Sequence, residues 1–452
     1  MDTKTLSEKK HCGIKNLTYY IHTFGCQMNE NDSERIAGIL TQLGVQKSPH
    51  LEESSLIIVN TCAVRQKSED KLFSLLGRLS RLKKKNNTLI GVIGCVAQLH
   101  KSHLLEKSPY VDFVIGPNNY SDLPRILLDR IGEKFISTGW RREWDEIPSG
   151  IIVRKSTVGA YVTIMEGCNN FCSYCIVPFT RGREKYRPFE NILQEIEELA
   201  SKGYKEIQLL GQNVNSYVDP VRGTRFSTLL REVDLVNVIE WVRFITSHPK
   251  NFTPDIAHTM KEGTKICHQL HLPLQSGSSS VLKRMNRGYT QEEYREKIAY
   301  LRELMPDISL STDIIVGFPG ETEREFLETL QMLEEVRYAN IFSFRYSPRP
   351  FTKASKMEDD IPIELKKRRL TEVQNLQKKI QLEDNRSLLG KRMKVLCSGR
   401  IKKDPRIYSG RNEGFRVVNV ESERDVEGKF VDVLITSCGP HSLQGRVVEN
   451  EK

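Results

Sequence analysis

Three cysteines lie close together in the middle of the chain. Cys168, Cys172 and Cys175 have the spacing C-x3-C-x2-C within Glu166-Gly-Cys-Asn-Asn-Phe-Cys-Ser-Tyr-Cys175. A structural zinc site takes four protein ligands, so these three would need a distant fourth to hold zinc. Cysteine thiolates are also the usual ligands of [4Fe–4S] clusters. Three of them would leave one iron free to bind a substrate. The run therefore predicts a cluster site, with a zinc knuckle or three unrelated thiols as alternatives.

The elements around this run predict a barrel. From about residue 157 to 385, strand-like and helical patterns alternate along the chain. The strand candidates are Tyr161–Met165, Glu206–Leu210, Trp241–Ile245, His268–Leu272, Ser309–Val316 and Ala339–Phe344. Six strands with crossover helices indicate a partial (β/α)6 barrel, open on one side, in which chemistry is expected just after the strands.

Polar residues follow several of these predicted strands. The segments at those positions include Gly211-Gln-Asn213, Thr246-Ser-His248 and Gln275-Ser-Gly277. Their glycines, amides and hydroxyls suit a polar ligand. Ordinary turns between strands and helices would have the same composition, so both interpretations stay open.

A second group of cysteines repeats the strand-end placement in the first part of the chain. Strand and helix signals alternate from about residue 17 to 130, which predicts a small doubly wound parallel sheet of four strands. Cys26, Cys62 and Cys95 each follow one of its first three strands. Parallel strands bring their carboxyl ends to one edge, where such sheets bind ligands. We therefore expect a second three-cysteine [4Fe–4S] site, with buried structural thiols as the alternative.

The last part of the chain has a different pattern. Short alternating strands such as Met393–Leu396, Phe415–Val420 and Phe430–Ile435 are separated by glycine turns. This predicts a small antiparallel β-barrel, a fold that often binds oligonucleotides. A charged helix from Ile363 to about Leu388 should connect it to the central barrel. The remaining cysteines, which have no partner spacing and which we interpret as inert, are Cys12, Cys267, Cys397 and Cys438.

These signals divide the chain into four segments. We expect an α/β chain with a cysteine-bearing sheet domain at 17–130, a linker at 131–156, the barrel at 157–388 and the β-barrel tail at 389–450. The formal net charge is +10 and the sequence pI is about 9.0, which suits a polyanionic partner such as RNA. Basic residues near the cluster loop, Arg181, Arg183, Lys185 and Arg187, could bind phosphate or form a solvated surface.

The same sequence argues against membrane insertion and secretion. It has no apolar run long enough to span a bilayer, and its first residues lack the apolar core of a signal peptide. Acidic residues and the lack of arginine there also argue against a transit peptide. We expect a cytoplasmic protein whose cysteines serve as metal or catalytic ligands before disulfides.

The cysteine motifs and their surroundings resemble the methylthiotransferases of the radical S-adenosylmethionine (SAM) superfamily, in particular their MiaB branch. The resemblance covers nearly the whole chain, and the tail is similar to the RNA-binding TRAM domain. The strings that carry it are Thr23-Phe-Gly-Cys-Gln-Met-Asn-Glu-Asn-Asp32, Asn60-Thr-Cys-Ala-Val-Arg65, Glu166-Gly-Cys-Asn-Asn-Phe-Cys-Ser-Tyr-Cys-Ile-Val-Pro178, Thr180-Arg-Gly-Arg183 and Leu210-Gly-Gln-Asn-Val-Asn-Ser-Tyr217. None of the six cysteines departs from the family pattern.

This resemblance implies an activity and its cofactors. Members of the branch place a methylthio group on C2 of an N6-isopentenyl (dimethylallyl) adenosine beside the tRNA anticodon. Cys168, Cys172 and Cys175 would hold the cluster that cleaves SAM to a 5′-deoxyadenosyl radical. Cys26, Cys62 and Cys95 would hold an auxiliary cluster that carries or donates sulfur. SAM would have two roles, methylation of that sulfur and radical generation.

The polar strand ends supply candidate SAM contacts, and the resemblance implies partners. The candidate SAM contacts are Gly211, Asn213, Ser247 and Gln275. The substrate would be the tRNA anticodon loop, with phosphate contacts supplying salt-sensitive affinity. A reducing electron donor is also required, and the sequence does not identify it.

Two other functions remain open at this stage. Sister branches of the family modify threonylcarbamoyl adenosine in tRNA or an aspartate of a ribosomal protein, and they share the cysteine motifs. A non-enzymatic iron–sulfur regulator that binds RNA would explain the cysteines, the charge and the tail. It would not explain a barrel with polar strand ends.

Overall fold

The computed structural model describes residues 17–129, 132–402 and 404–448. In these ranges the chain forms an amino-terminal parallel sheet, a central open barrel and a closed carboxy-terminal barrel. The predicted α/β fold class with its three parts is confirmed. Cys12 and residues 130–131 and 449–450 at the predicted domain limits lie outside the described ranges. No helix in the described ranges is both long enough and apolar enough to cross a membrane.

The amino-terminal sheet has six strands, all paired in parallel, in the order β2-β1-β3-β4-β5-β6. Its strands are β1 (Thr18–Phe24), β2 (Gln46–Lys47), β3 (Leu56–Thr61), β4 (Leu89–Gly94), β5 (Phe113–Ile115) and β6 (Phe135–Ser137). Its helices are α1 (Gln27–Gln42), α2 (Gln66–Asn86), α3 (Cys95–His100), α4 (Ser102–Lys107) and α5 (Leu123–Asp129). Every residue of β3 is buried because helices cover both faces of the sheet.

Two of these strands were not among the four that the sequence predicts. Strand β2 has only two residues, and both are exposed, so it carries no apolar pattern. Strand β6 pairs with β5 but lies inside the segment 131–156, which we expected to be a linker. Its three residues are too few to show an alternating pattern. The sheet therefore extends beyond the predicted boundary.

The central barrel has six parallel strands in two groups of three, with the orders β11-β10-β7 and β12-β13-β14. A parallel bridge between Val242, in the first group, and Ile266, just before the first strand of the second, links the two groups. The strands are β7 (Gly159–Thr163), β10 (Glu206–Leu210), β11 (Trp241–Phe244), β12 (Gln269–His271), β13 (Ser309–Val316) and β14 (Asn340–Arg345). A separate antiparallel pair consists of β8 (Met165–Glu166) and β9 (Lys185–Tyr186).

Helices cover the outside of this barrel. They are α7 (Phe189–Ser201), α8 (Phe226–Leu235), α9 (Pro254–Glu262), α10 (Ser279–Arg284), α11 (Gln291–Leu304) and α12 (Glu323–Val336), whereas the short α6 (Val177–Thr180) follows the cysteine loop and contacts α3 of the amino-terminal domain. Local sequence fixes where α11 and α12 begin. Thr290 and Thr322 accept from the backbone N–H of the glutamate three residues later, and that glutamate bonds back, which satisfies N–H groups that a helix start leaves free.

The tail forms a closed barrel in the order β15-β16-β17-β19-β18. Its strands are β15 (Arg392–Ile401), β16 (Asp404–Asn412), β17 (Val417–Glu421), β18 (Phe430–Cys438) and β19 (Leu443–Val447), and helix α13 (Ile363–Arg386) leads into it. The tail packs against the amino ends of the central strands: the Trp241 ring contacts Phe430, and buried Arg243 donates to the Asn412 carbonyl at 2.9 Å. It therefore lies at the barrel end opposite the carboxyl ends of the strands.

Candidate active site

The loop that carries Cys168, Cys172 and Cys175 is folded back on itself. Gly167 has a φ of 82°, and a Cβ there would meet the Arg183 carbonyl oxygen at 2.1 Å. The Cys168 N–H donates to the Gly182 carbonyl at 3.1 Å. Only glycine suits this backbone conformation and this close approach. The residue therefore fixes the first cysteine just beyond the end of β8.

Nitrogen donors point at two of the three sulfurs. The buried Arg287 guanidinium donates from Nη1 to the Cys172 Sγ at 3.3 Å and from Nη2 to the Pro273 carbonyl at 2.7 Å. The Asn170 side-chain amide donates to the Cys168 Sγ at 3.7 Å. Hydrogen bonds of this kind stabilise thiolates and tune iron–sulfur clusters. The surroundings therefore fit a set of thiolate ligands.

Cys172 is buried, and Cys168 and Cys175 are partly buried. Burial raises the pKa of Cys168 to about 11 and the pKa of Cys175 to about 12. A coordinated metal deprotonates a thiol outright. Without a metal, Cys168 and Cys175 would be neutral thiols at neutral pH.

His248 lies beside the same loop. Its Nε2 is 3.8 Å from the Cys172 Sγ, and its Nδ1 accepts from the Lys250 backbone N–H at 3.2 Å. Burial, together with the nearby charges of Arg287 and Lys250, lowers the pKa of His248 to about 2. The imidazole is therefore neutral. Sequence reasoning placed His248 at a strand end, but it found neither this contact nor Arg287.

The four candidate SAM contacts follow strands β10, β11 and β12. A Cβ on Gly211 would meet the Met165 side chain at 2.6 Å, so the backbone is held close to β8. Asn213 is buried and donates to the Asn251 side chain at 3.1 Å, while its own Oδ1 has no hydrogen-bond partner among the described residues. The buried Ser247 hydroxyl also has no hydrogen-bond partner within the part of the chain that the structure describes. Unpaired buried polar atoms are costly, and they are found where a ligand or water completes the site.

Two residues at these strand ends have left-handed backbone. Thr246 has a φ of 65° and Gln275 a φ of 74°. A β-branched residue rarely adopts this conformation. The Thr246 hydroxyl donates to the Gly211 carbonyl at 2.6 Å, which holds the two strand ends together. Strain of this kind clusters at functional sites. Contact of these residues with SAM remains a prediction.

The second group of cysteines comes together at the carboxyl edge of the amino-terminal sheet. Cys26 follows β1, Cys62 follows β3 and Cys95 follows β4. A hydrogen bond to Cys26 raises the pKa of Cys62 well above its usual value, and burial and the nearby charges of Cys26 and Cys95 add to it. The same bond to Cys62 lowers the pKa of Cys26 to about 6. Cys26 is exposed, whereas Cys62 and Cys95 are buried.

Asparagines hold the three strand ends in register. The Asn29 side-chain amide donates to the Asn60 side-chain oxygen at 3.1 Å, and the Asn60 amide donates to the Asn29 carbonyl at 2.8 Å. Gly94, with a φ of 90°, leaves room for this pair, since a Cβ there would meet the Asn60 Oδ1 at 2.4 Å. These contacts join the segments that carry all three thiols.

Neither group of cysteines is arranged for a single metal ion. In the part of the chain that the structure describes, no three His, Cys, Asp or Glu side chains are grouped closely enough to hold one. A four-iron cluster is larger than one ion, and its ligands sit at separate corners. The Val64 N–H lies 3.4 Å from the Cys62 Sγ, which adds a donor to this second thiol set. Thiol chemistry and donors therefore fit a cluster at each site.

Buried charges join the two cysteine sites. Arg181, from the loop after Cys175, donates to Asp32 of α1, and its guanidinium lies 3.6 Å from Glu166. The Tyr120 hydroxyl donates to the same Asp32 carboxylate at 3.0 Å. Arg181 also hydrogen-bonds Cys95. Burial raises the pKa of Cys95, and this arginine offsets part of that rise. One arginine thus spans from the cluster loop of the barrel to the other cysteine site.

Basic residues near the cluster loop are used inside the protein. Arg187 pairs with Glu146 at 2.7 Å and with Glu195, and Lys185 bonds Asn118 and lies 3.8 Å from Glu166. With Arg181 also paired, three of the four basic residues that could have bound phosphate make internal contacts. Arg181 and Lys185 bond the amino-terminal domain, whereas Arg187 bonds the 131–156 segment and helix α7. Arg183 stacks on the Phe171 ring at 4.2 Å.

A different basic surface lies along helix α2. Its exposed cations recur at helical spacing, so they share one side of the helix; we call them the α2 basic face, and they are Lys67, Lys71, Arg78, Arg81 and Lys85. Beside it, alternate residues of β1 form a row of rings that leads toward Cys26. The Tyr20 and His22 rings are 6.4 Å apart, and the His22 and Phe24 rings are 4.3 Å apart. Burial, followed by the charges of Arg78, Lys155 and Lys71, lowers the pKa of His22.

Comparison with known families assigns the first two parts of the chain. Residues 162–333 match the Radical SAM superfamily, and residues 18–116 match the uncharacterized protein family UPF0004. These ranges contain all six of the cysteines described above.

Relatives match over almost the full chain. The tRNA-2-methylthio-N(6)-dimethylallyladenosine synthase of Dictyoglomus thermophilum is 46% identical over 95% of this chain and 98% of its own length. The protein of the same name from Acetivibrio thermocellus is 44% identical over 99% of this chain and 94% of its own. The radical SAM methyltransferase TsrM from Kitasatospora setae has a similar fold, with a TM-score of 0.55 at 14% identity, covering 75% of each chain.

Proposed function

The chain belongs to the tRNA-2-methylthio-N(6)-dimethylallyladenosine synthases, which are radical SAM tRNA methylthiotransferases, and from this premise we propose that its six strand-end cysteines hold two [4Fe–4S] clusters beside one RNA substrate site. The reaction of this family adds a methylthio group at C2 of N6-dimethylallyladenosine in tRNA. The observation that carries the proposal is that one cysteine trio lies on the loop after β8, the other converges from the ends of β1, β3 and β4, and Arg181 connects the two.

The target C–H bond explains why such a site is needed. The C2–H bond of adenine is strong and unactivated, so acid–base catalysis does not break it usefully. When bound, SAM and the cluster at Cys168, Cys172 and Cys175 would supply hydrogen-atom abstraction, and the cluster at Cys26, Cys62 and Cys95 would supply sulfur.

The chain's own residues bind and orient these groups. Arg287 and Asn170 donate to the sulfurs of Cys172 and Cys168, and the buried Ser247 hydroxyl and Asn213 oxygen have bonding capacity left for a polar ligand. His248 stays neutral, so it brings no additional positive charge next to the thiolates. Gly211 and Gln275 set the backbone around the ligand.

The RNA would be held mainly through its phosphates. The α2 basic face and the β1 ring row begin beside the Cys26 site, and cations with aromatic rings are the usual means of binding unstacked nucleotides. The carboxy-terminal barrel resembles a TRAM domain and would add contacts farther along the RNA. The target base would leave the stack of the anticodon loop to reach the site.

A substrate panel tests this function. Enzyme reconstituted anaerobically with iron and sulfide is given SAM, a low-potential reductant and one substrate at a time. The substrates are a dimethylallylated anticodon stem-loop, a threonylcarbamoylated one and the ribosomal peptide. Products are identified by mass spectrometry, and SAM cleavage to 5′-deoxyadenosine is followed in parallel.

We expect methylthiolation of the dimethylallylated RNA alone. Product on the peptide or on the threonylcarbamoylated RNA, with none on the dimethylallylated RNA, would assign the chain to a sister activity. No SAM cleavage by enzyme with full iron content would contradict the enzymatic function and favour an iron–sulfur regulator.

A further inference from the structure

Two exposed aromatic rings meet between the two cysteine loops. Phe179, in α6 after Cys175, is 38% exposed, and Phe351, after β14, is 64% exposed. Their ring centroids are 6.1 Å apart. A single exposed hydrophobic residue is ordinary. Among the described residues, however, no other two exposed hydrophobic rings contact each other, and these two come from distant parts of the sequence.

The segment that carries Phe351 is fixed to both cysteine loops. On one side, the buried Arg349 donates from Nη1 to the Gln66 side chain at 2.6 Å and from Nε to the Val64 carbonyl at 3.3 Å, just beyond Cys62. On the other side, the Ala354 N–H donates to the Ser173 carbonyl at 2.7 Å, between Cys172 and Cys175. The backbone on either side of Phe351 is therefore fixed to both predicted cluster sites.

The backbone of Phe351 is also unusual. Its φ is 67°, in the left-handed region that non-glycine residues rarely adopt. Residues in such conformations concentrate at ligand-binding and catalytic sites, where the surroundings hold them in place. Here a strained backbone displays a large apolar ring to solvent. Val64, two residues after Cys62, is 52% exposed and extends the apolar surface on that side.

From these observations we propose that Phe179, Phe351 and Val64, the apolar rim of the site, bind the dimethylallyl group of the substrate adenosine. This inference rests on the proposed function and names the residues that select for its substrate. The dimethylallyl group is a branched five-carbon chain with no polar atom, so its binding requires apolar surface near the reacting base. A threonylcarbamoyl group carries a carboxylate instead and would require a cation. Of the buried arginines beside the rim, Arg181 is paired with Asp32 and Arg349 with Glu69, although the Arg349 Nη2 has no hydrogen-bond partner among the described residues.

Binding of two matched RNAs tests the rim. The RNAs are anticodon stem-loops that differ only in the dimethylallyl group, and their affinities for reconstituted enzyme are measured by fluorescence anisotropy without turnover. We expect Phe351→Ala and Phe179→Ala each to weaken binding of the dimethylallylated RNA by roughly tenfold, as loss of a buried apolar contact requires. Binding of the unmodified RNA should not change. Phe351→Leu, which keeps apolar surface, should restore most of the preference.

Leu327→Ala serves as the control, because Leu327 is exposed to a similar extent on α12, at the outside of the barrel. It should leave both affinities at the wild-type value. An equal loss for both RNAs in the Phe351 and Phe179 variants would make the rim a general stacking surface and overturn the inference, as would unchanged binding of both. Failure of the wild type to methylthiolate the dimethylallylated RNA would contradict the proposed function instead, so the two failures are separable.

Discussion

At the scale of single residues, the site depends on close approaches that a side chain would block. Gly211 is the clearest case, because a Cβ there would overlap the Met165 side chain at 2.6 Å. Its carbonyl also accepts from the strained Thr246. A side chain at Gly211 would therefore displace the ends of β8, β10 and β11. We expect SAM to bind at these strand ends.

Gly211→Ala should weaken SAM binding. The added methyl group forces neighbouring groups apart at a cost of about 1–3 kcal/mol, which corresponds to roughly tenfold or more in affinity if the cost falls on the bound state. Equilibrium dialysis of labelled SAM against reconstituted enzyme measures it. Gly77→Ala is the control: apart from the backbone of α2 itself, no atom lies within 4 Å of the position that its methyl group would take, so SAM affinity should not change and the helix should gain about 0.5–1 kcal/mol. An unchanged SAM affinity in the Gly211→Ala variant would show that Gly211 is not part of the SAM-binding site.

Spacing and strand ends were enough to predict that Cys26, Cys62 and Cys95 come together at one edge of the sheet. Cluster binding by the six cysteines and SAM binding at the strand ends stay predictions. Spacing and strand ends could not find Arg287, which lies after a short helix and not after a strand, and which meets Cys172 only through tertiary packing. The pairing of Phe179 with Phe351 was also beyond reach, because nothing local links two single phenylalanines so far apart in the chain. The alternating Tyr20, His22 and Phe24 did carry a signal in the sequence, which we interpreted only as a strand.

At the scale of elements, helix α1 and the cluster loop of the barrel are joined by buried charge. Asp32 of α1 is fully buried and accepts from both Arg181 and Tyr120. Glu166 lies near Arg181, Arg35 and Lys185. A buried pair adds little net stability, but removal of one partner leaves an uncompensated charge. The alignment of the two cysteine sites therefore depends on this network.

Asp32→Ala should destabilise the protein strongly. Loss of the carboxylate leaves the buried Arg181 without its closest partner, at a cost of about 3–5 kcal/mol. Denaturant unfolding measures the free energy of unfolding, and limited proteolysis reports separation of the two domains. Glu364→Ala removes an exposed partner of Lys367 on α13 and should change stability by no more than about 0.5 kcal/mol. If Asp32→Ala were as mild as this control, the charge network would not hold the domains together.

At the scale of the whole molecule, charge and geometry suggest how a long RNA would lie. The net charge is +10, and the α2 basic face leads to the Cys26 site. The tail packs at the opposite end of the central barrel, where Trp241 and Arg243 meet it. An RNA that contacts both surfaces must extend along the side of the barrel. The composition indicated a polyanionic partner, but only the tertiary structure shows that the α2 basic face and the tail are two separate surfaces.

Neutralisation of the α2 basic face should weaken tRNA binding and make it less dependent on salt concentration. Lys71→Gln, Arg78→Gln and Arg81→Gln together remove about three phosphate contacts, so the slope of log affinity against log salt should fall by about 2–3. Titrations at several salt concentrations measure this slope. The matched control is Lys367→Gln, Lys378→Gln and Lys379→Gln, with the same charge change on exposed positions of α13. Equal slopes in the two triple variants would contradict a specific role for α2.

The central claim is that two separate clusters occupy the two cysteine sites, and iron and sulfide counting tests it most directly. The wild type and the Cys168/Cys172/Cys175→Ala variant are reconstituted anaerobically, and a Cys26/Cys62/Cys95→Ala variant is treated in the same way. We expect about eight irons per wild-type chain and about four in each variant, as two independent four-iron clusters require. About four irons in the wild type, lost in the first variant and kept in the second, would reduce Cys26, Cys62 and Cys95 to structural thiols and leave the reaction without its sulfur donor.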